Sequence, residues 1–422
     1  MHVVSVRKTG QSQREELTRV LQVLMPVLDI VDTPVQAPEP PAWCAGRGWS
    51  DFLLSLGDEE LAVSERGGFA ALLAARADAP GELRALAADV QRCARLPALA
   101  ASELALPAAA LRGVSARKRG QLAVLLGALS PLAANADRIV DVGAGRGHFS
   151  RLAAEHFQRP TLGLERDAAL LRRASEHHRA ARPGAPAVRF VETNVGQQRL
   201  ELQPGDLAVG LHACGELGDR LVIAAAAARC DVALVSCCLQ KTSAERRSPL
   251  SLEANGFELR RGALGLTNLS SRDVGVEASM AENLRAREAR LALRYLLRAR
   301  GVDVGAGEEM RGVNRRRAHA GFPDLAAHAL ALRQLPPASA LELSSQAEVA
   351  RRDYAVIRRL SLPRHLLARL IELGVVRDRA AALEESGSAV AVAQLFDPGL
   401  TPRNTVLFAV TDPAQLPPLR AD

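Results

Sequence analysis

The stretch "RIVDVGAGRGHFSRLAA" (138–154) decides the fold. An apolar run of strand length enters a loop with glycines at 143, 145 and 147, and a helix-forming segment follows. Glycine at every second position lets the backbone turn sharply and come close to a small ligand. The spacing is G-x-G-x-G. A dinucleotide fingerprint, G-x-G-x-x-G, needs a glycine where this chain has His148. A strand, a glycine loop and a helix in that order predict the first turn of a parallel, doubly wound sheet.

The surrounding sequence repeats the pattern. "SARKRGQLAVLLGALSPLA" (115–133) predicts a helix before the first strand, with Ser115 as its N-cap. After the loop come "TLGLERD" (161–167), "AVRFVETNV" (187–195), "DLAVGLHACG" (206–215) and "DVALVSCC" (231–238), separated by helix-length segments at 147–157, 167–181 and 215–229. The alternation stops after "SPLS" (248–251). Near the end, "AVAVAQLFD" (389–397) and "NTVLFAV" (404–410) flank "PGLTPR", which predicts an antiparallel hairpin closing the sheet. Parallel strands with a closing hairpin are the layout of a Rossmann-like class I methyltransferase domain, an α/β fold. The expected organisation is a mostly helical domain over 1–110, a core over 111–264, a mostly helical insertion over 265–385 and closing strands over 386–422.

Composition narrows the class. Of 422 residues, 48% are apolar and 24% charged, as in a globular protein. Runs such as "LVIAAAAA" (221–228) are too short to span a bilayer, so no membrane association is expected. The start carries no charged-then-apolar leader pattern, which predicts a cytoplasmic protein with its six cysteines (44, 93, 214, 230, 237, 238) reduced. No Cys-x-x-Cys pair is present, and no metal is assigned. The formal charge of +7 permits a polyanionic partner. Arginine supplies almost all of the positive charge, with lysine only at 8, 118 and 241. Aromatic residues make up 3%, too few for an extended base-stacking platform.

The loop suits the amino-acid end of S-adenosylmethionine, with Asp141 placed to accept from an ammonium group. Glu165, 18 residues past Gly147 at the end of the second strand, is placed for the two ribose hydroxyls, and Asn194 for the adenine edge. The expected cofactor set is Asp141, Gly143, Gly145, Gly147, His148, Glu165, Asn194 and His212. Ligands of doubly wound sheets bind beyond the carboxyl ends of the strands. If strands four and five are neighbours, His212, Cys214, Cys237, Cys238 and Lys241 cluster there. These cysteines can line a pocket, bind metal, react covalently or pack. Cys237 and Cys238 cannot both face the cleft if the strand runs through them. His212 is the first candidate to orient or deprotonate the methyl acceptor and Lys241 the second. Cys237 completes the catalytic set with Asn404, which shares the rim with Arg403.

These residues carry a resemblance. "DVGAGRGHFSRLAA" (141–154), "GLHACGELGDRL" (210–221), "SCCLQK" (236–241) with "PLS" (249–251), and "LFDPGLTPRN" (395–404) resemble the methyltransferase-like protein 25 family, which includes a relative labelled a ribosomal RNA adenine dimethylase domain-containing protein. The resemblance covers most of 48–410 and implies a class I fold with an S-adenosylmethionine site at Asp141, Gly143, Gly145, Gly147 and Glu165. The turn after strand four reads "LHACG", without the Asn/Asp-Pro-Pro-aromatic motif that holds an adenine amino group. The Cys-Gly and Cys-Cys turns are similar to those of eukaryotic tRNA acceptor-stem 2′-O-methyltransferases, although Leu239 stands where those have histidine. Arg287, Arg290, Arg294 and Arg298 fall on one helical arc and form a candidate phosphate-binding stripe. The expectation is an S-adenosylmethionine-dependent methyltransferase acting on RNA. A protein of the translation machinery is the rival substrate, and a non-catalytic cofactor-binding scaffold and a dehydrogenase are the other readings.

Overall fold

The computed structural model describes residues 12–100, 103–107, 111, 113–179, 186–196, 198–268, 280–401 and 403–420. The chain forms two compact units, one from 1–26, 90–274 and 368–422, the other from 27–89 and 275–367.

The first unit is built on a seven-stranded sheet. Its strands are β1 (Arg138–Val142), β2 (Thr161–Glu165), β3 (Val188–Glu192), β4 (Asp206–Ala213), β5 (Asp231–Ser236), β6 (Ala389–Gln394) and β7 (Thr405–Val410), in the order 3-2-1-4-5-7-6. β1 to β5 pair in parallel, and β7 lies antiparallel between β5 and β6. The expected hairpin forms, with Ala389 opposite Val410 and Gln394 opposite Thr405. β5 and β7 are apolar along most of their length because both faces of the sheet are covered. Leu207, Val209, Ala233, Val235, Val406 and Phe408 enter one core layer, and Ala208, Val232, Leu234, Leu407 and Ala409 the other.

Helices α1 (Gln13–Leu24), α2 (Ala116–Ala133), α3 (His148–Phe157), α4 (Ala168–Arg179), α5 (Glu216–Ala228) and α6 (Ala368–Glu385) belong to this unit. Ser115 caps α2, its Oγ accepting from the Lys118 N–H at 3.4 Å. The segments expected as an N-terminal domain and an insertion are shared between the units. α1 and α6 pack together in the core unit, where the Ser12 hydroxyl donates to Glu384 at 2.6 Å. α6 is buried almost all round, which suits a helix enclosed by α1, α5 and the sheet.

The second unit is helical. Met280–Ala299, Phe322–Leu332 and Ala340–Leu360 enclose Leu293, Leu297, Leu325, Ala329 and Ala350. Ser339 and Glu342 form a capping box at the start of the last of these helices. Among the described residues, no helix is long and apolar enough to cross a membrane.

Candidate active site

The glycine loop has the conformation its sequence demands. Gly143, Gly145 and Gly147 lie at φ +83°, +57° and +69°, a region that disfavours side chains. A Cβ on Gly147 would sit 2.5 Å from the Phe190 ring, so this glycine serves packing of the loop onto β3. Among the described residues, a Cβ on Gly145 would meet nothing within 4 Å. That glycine therefore leaves open space above the strand ends, where a ligand can approach the backbone.

Two carboxylates fix the loop. Asp141 is 2% exposed and accepts from the Ser150 hydroxyl at 2.5 Å. Burial pushes its carboxyl up to about 6, against the pull of Ser150 and the nearby Lys118 cation. Glu165 accepts from the Gly145 N–H at 3.0 Å with one oxygen and from the Arg166 and Asp167 N–H groups, at 2.9 and 3.1 Å, with the other. The acid expected at the ribose thus also ties β2 to the glycine loop. His148 is buried at the start of α3. Asn194 turns its side-chain oxygen onto the Gly196 N–H at 3.2 Å and caps its own turn.

β4 and β5 are neighbours, and their ends converge as expected. A register shift between Leu211 and Ala213 expels His212 at φ +66°. Its Nε2 lies 3.3 Å from Oε1 of Gln121, which is 2% exposed and whose amide nitrogen has no hydrogen-bond partner among the described residues. Burial, with the cations of Arg117 and Lys118, lowers the His212 imidazole to about 4. β5 ends at Ser236, so strand alternation does not reach the two cysteines. The sulfurs of Cys214, Cys237 and Cys238 all lie within 4.8 Å of one another. Cys214 and Cys237 donate to the His212 carbonyl at 3.3 and 3.2 Å. The adjacent Cys214 and Cys237 side chains hold the Cys238 thiol far below its usual range, with the cations of Arg403 and Lys241 adding to the effect. Cys230 is buried away from this group, at the start of β5.

The remaining candidates differ in position. The Lys241 residue is exposed, and its backbone closes the site floor: its carbonyl accepts from the Glu216 N–H at 3.0 Å and fills the space where a Cβ on Gly215 would be. Arg403 is 8% exposed and donates to the Thr267 carbonyl at 3.0 Å and to Asn268 Oδ1 at 2.6 Å. Asn404 is also buried, its carbonyl accepting from Leu395 N–H at 2.7 Å. The arginine stripe is not a free cationic surface. Arg290 and Arg294 donate to the fully buried Glu309, Arg298 to the Val304 carbonyl, and Arg287 interacts with Tyr354.

A supporting group escaped the sequence reading. Arg379, fully buried in α6, donates to Asp219 Oδ1, the Ser236 hydroxyl and the Gly215 carbonyl, each at 2.8 Å. Arg247 bridges Asp219 and Asp378, and Asp378 accepts from the backbone of Leu250 and Ser251. The motifs "GELGD", "PLS" and "VVRDRA" are therefore one buried ionic network beneath the strand ends.

A family model described as "Methyltransferase domain" matches residues 117–245, from the start of α2 to just past the β5 turn. With the 3-2-1-4-5-7-6 sheet, this match supports a class I methyltransferase, an enzyme of a class that uses S-adenosylmethionine. The residues present fit that cofactor. Gly145 leaves a cradle, Glu165 and Asp141 supply carboxylates beside it, and the Gln121 amide offers a buried donor.

Proposed function

We propose that this chain transfers a methyl group from S-adenosylmethionine to RNA, in the cytoplasm, as a member of the methyltransferase-like protein 25 family that its motifs resemble. The observation that carries the substrate class is the set of cations at the strand ends. Arg117, Lys118 and Arg403 act on His212, Arg146 acts on Lys118, and Lys241 acts on Cys238. Two of the three lysines in the chain stand at this rim. Cations gathered at the strand ends raise the local concentration of a polyanion and favour phosphate contacts.

The cofactor, when bound, supplies a methyl group already activated on a sulfonium. Glu165 and the glycine loop would hold its ribose and amino-acid ends beside Asp141. The protein's task is then to position the acceptor and exclude water. The His212 ring, held by Gln121 at the outward bulge of β4, would orient the acceptor group. The exposed Lys241 and Arg117 would contact its phosphates.

The test is transfer of radiolabelled methyl from S-adenosylmethionine into total RNA and total protein from cells lacking this chain, with the Asp141→Ala variant as control. Label in RNA that disappears with the variant supports the proposal. Label confined to protein overturns the substrate class. No label in either fraction, with cofactor binding retained, overturns the enzymatic reading in favour of a scaffold.

A further inference from the structure

The three sulfurs at the ends of β4 and β5 satisfy requirements that a pocket lining does not impose. They come from two separate turns, yet all lie within 4.8 Å of one another. The frame around them is rigid. Arg379 donates to the carbonyl of Gly215, the residue after Cys214, and to the hydroxyl of Ser236, the residue before Cys237. One buried guanidinium thus clamps the two cysteine-bearing turns. The turns also lock directly, since the Lys241 carbonyl occupies the Cβ position of Gly215 and accepts from the Glu216 N–H. A preorganised frame of this kind removes most of the ordering cost of ligand binding.

We infer that Cys214, Cys237 and Cys238 form a binding site for one thiophilic divalent cation, with Zn²⁺ the best match, leaving a fourth coordination position open. Zinc–sulfur bonds of about 2.3 Å in a tetrahedron place the sulfurs roughly 3.8 Å apart. Side-chain rotation covers the contraction from the observed spread. Thiolates select zinc over the hard cations magnesium and calcium. Three thiolates and one Zn²⁺ leave a single negative charge, which faces the cations of Arg403 and Lys241. On binding, the cation replaces the protons of Cys214 and Cys237 that the His212 carbonyl now accepts, and these two protons pass to solvent. Cys237 is buried, whereas Cys214 and Cys238 are half-exposed, so the cation enters and the fourth position opens on their side. Three protein ligands with one open position distinguish a working zinc site from a closed structural one. The inference does not depend on which macromolecule is methylated.

The test is metal content and cobalt spectroscopy on the full-length chain, purified under reducing conditions from zinc-supplemented medium. The expected result is about one zinc per chain. The Cys214→Ser and Cys238→Ser variants should lose it while keeping the wild-type far-ultraviolet dichroism, and Cys93→Ser should retain it. Co²⁺ added to metal-stripped protein should give a thiolate-to-cobalt charge-transfer band and tetrahedral visible bands. Both should vanish in the Cys214→Ser/Cys238→Ser double variant, a reading that does not need the single variants to be equally stable. Wild type that carries no zinc and gives no charge-transfer band overturns the inference. So does zinc that persists undiminished in the double variant.

Discussion

Arg379 donates to Asp219 over 2.8 Å and joins the last core helix to the helix after β4, although the two residues are 160 positions apart. Both belong to a network in which Arg379 and Asp378 are fully buried. Removing one partner of a buried ion pair leaves its counterpart charged and desolvated. Arg379→Ala is expected to destabilise the core unit by about 3–5 kcal/mol. Arg247 still faces Asp219, so the loss should fall at the lower end. Urea denaturation of the variant checks it. Wild-type stability would show that the network contributes no net free energy.

Gly147→Ala and Gly145→Ala should separate folding from binding. Both positions have positive φ, which costs a residue with a Cβ about 1–2 kcal/mol. At Gly147 the new methyl also collides with Phe190 and approaches Ala174, so the fold should lose considerably more. At Gly145 the methyl points into open space beside the Gly145–Glu165 hydrogen bond. That variant should stay folded and bind S-adenosylmethionine at least tenfold more weakly by calorimetry, about 1.4 kcal/mol. Equal affinity in the Gly145 variant would remove this loop from the cofactor site.

The arginine stripe gives a prediction opposite to its sequence reading. Glu309 is fully buried and accepts from Arg290, Arg294 and the Gly307 N–H. Arg290→Ala should therefore lower stability, by roughly 2 kcal/mol given that Arg290 is partly exposed. It should leave the salt dependence of RNA binding unchanged. Lys241→Ala should reduce the slope of log affinity against log salt by about one. Filter binding over a salt series distinguishes the two.

What the sequence made legible were local patterns. Apolar runs of strand length, the glycine spacing and Ser115 before α2 each carry their own geometry, and all formed as expected. The missing information was about partners. An amphipathic pattern shows that a helix has a buried face, and does not show which unit covers it, so α1 and α6 lie outside their expected domains. Arg379 sits in a helix where arginine usually faces solvent, and its partners come from β5 and α5. The stripe on Met280–Ala299 is a true helical arc, but its counter-ion lies on a separate short turn at Glu308–Met310. The convergence of the cysteines depended on one boundary, the end of β5 at Ser236, which sequence patterns place only to within a few residues.

Asp141 should impose a pH dependence on both folding and cofactor binding. Its carboxyl titrates near 6 in the folded chain, against 3.8 ordinarily, because burial outweighs Ser150 and Lys118. Between about pH 4 and 6 the folded state therefore holds a proton that the unfolded state has released. The group's contribution to stability is full below about pH 4 and is lost as pH rises through 6, a difference of about 3 kcal/mol. Other carboxylates slope the opposite way, so the measurable quantity is wild type minus Asp141→Asn, from urea denaturation between pH 4.5 and 7. That difference should fall steadily with rising pH, and a flat difference would mean that Asp141 is ionised throughout. The cationic cofactor favours the ionised carboxylate and should bind with proton release near pH 6. Calorimetry in buffers of different ionisation enthalpy reads that release directly, and Asp141→Asn should abolish it.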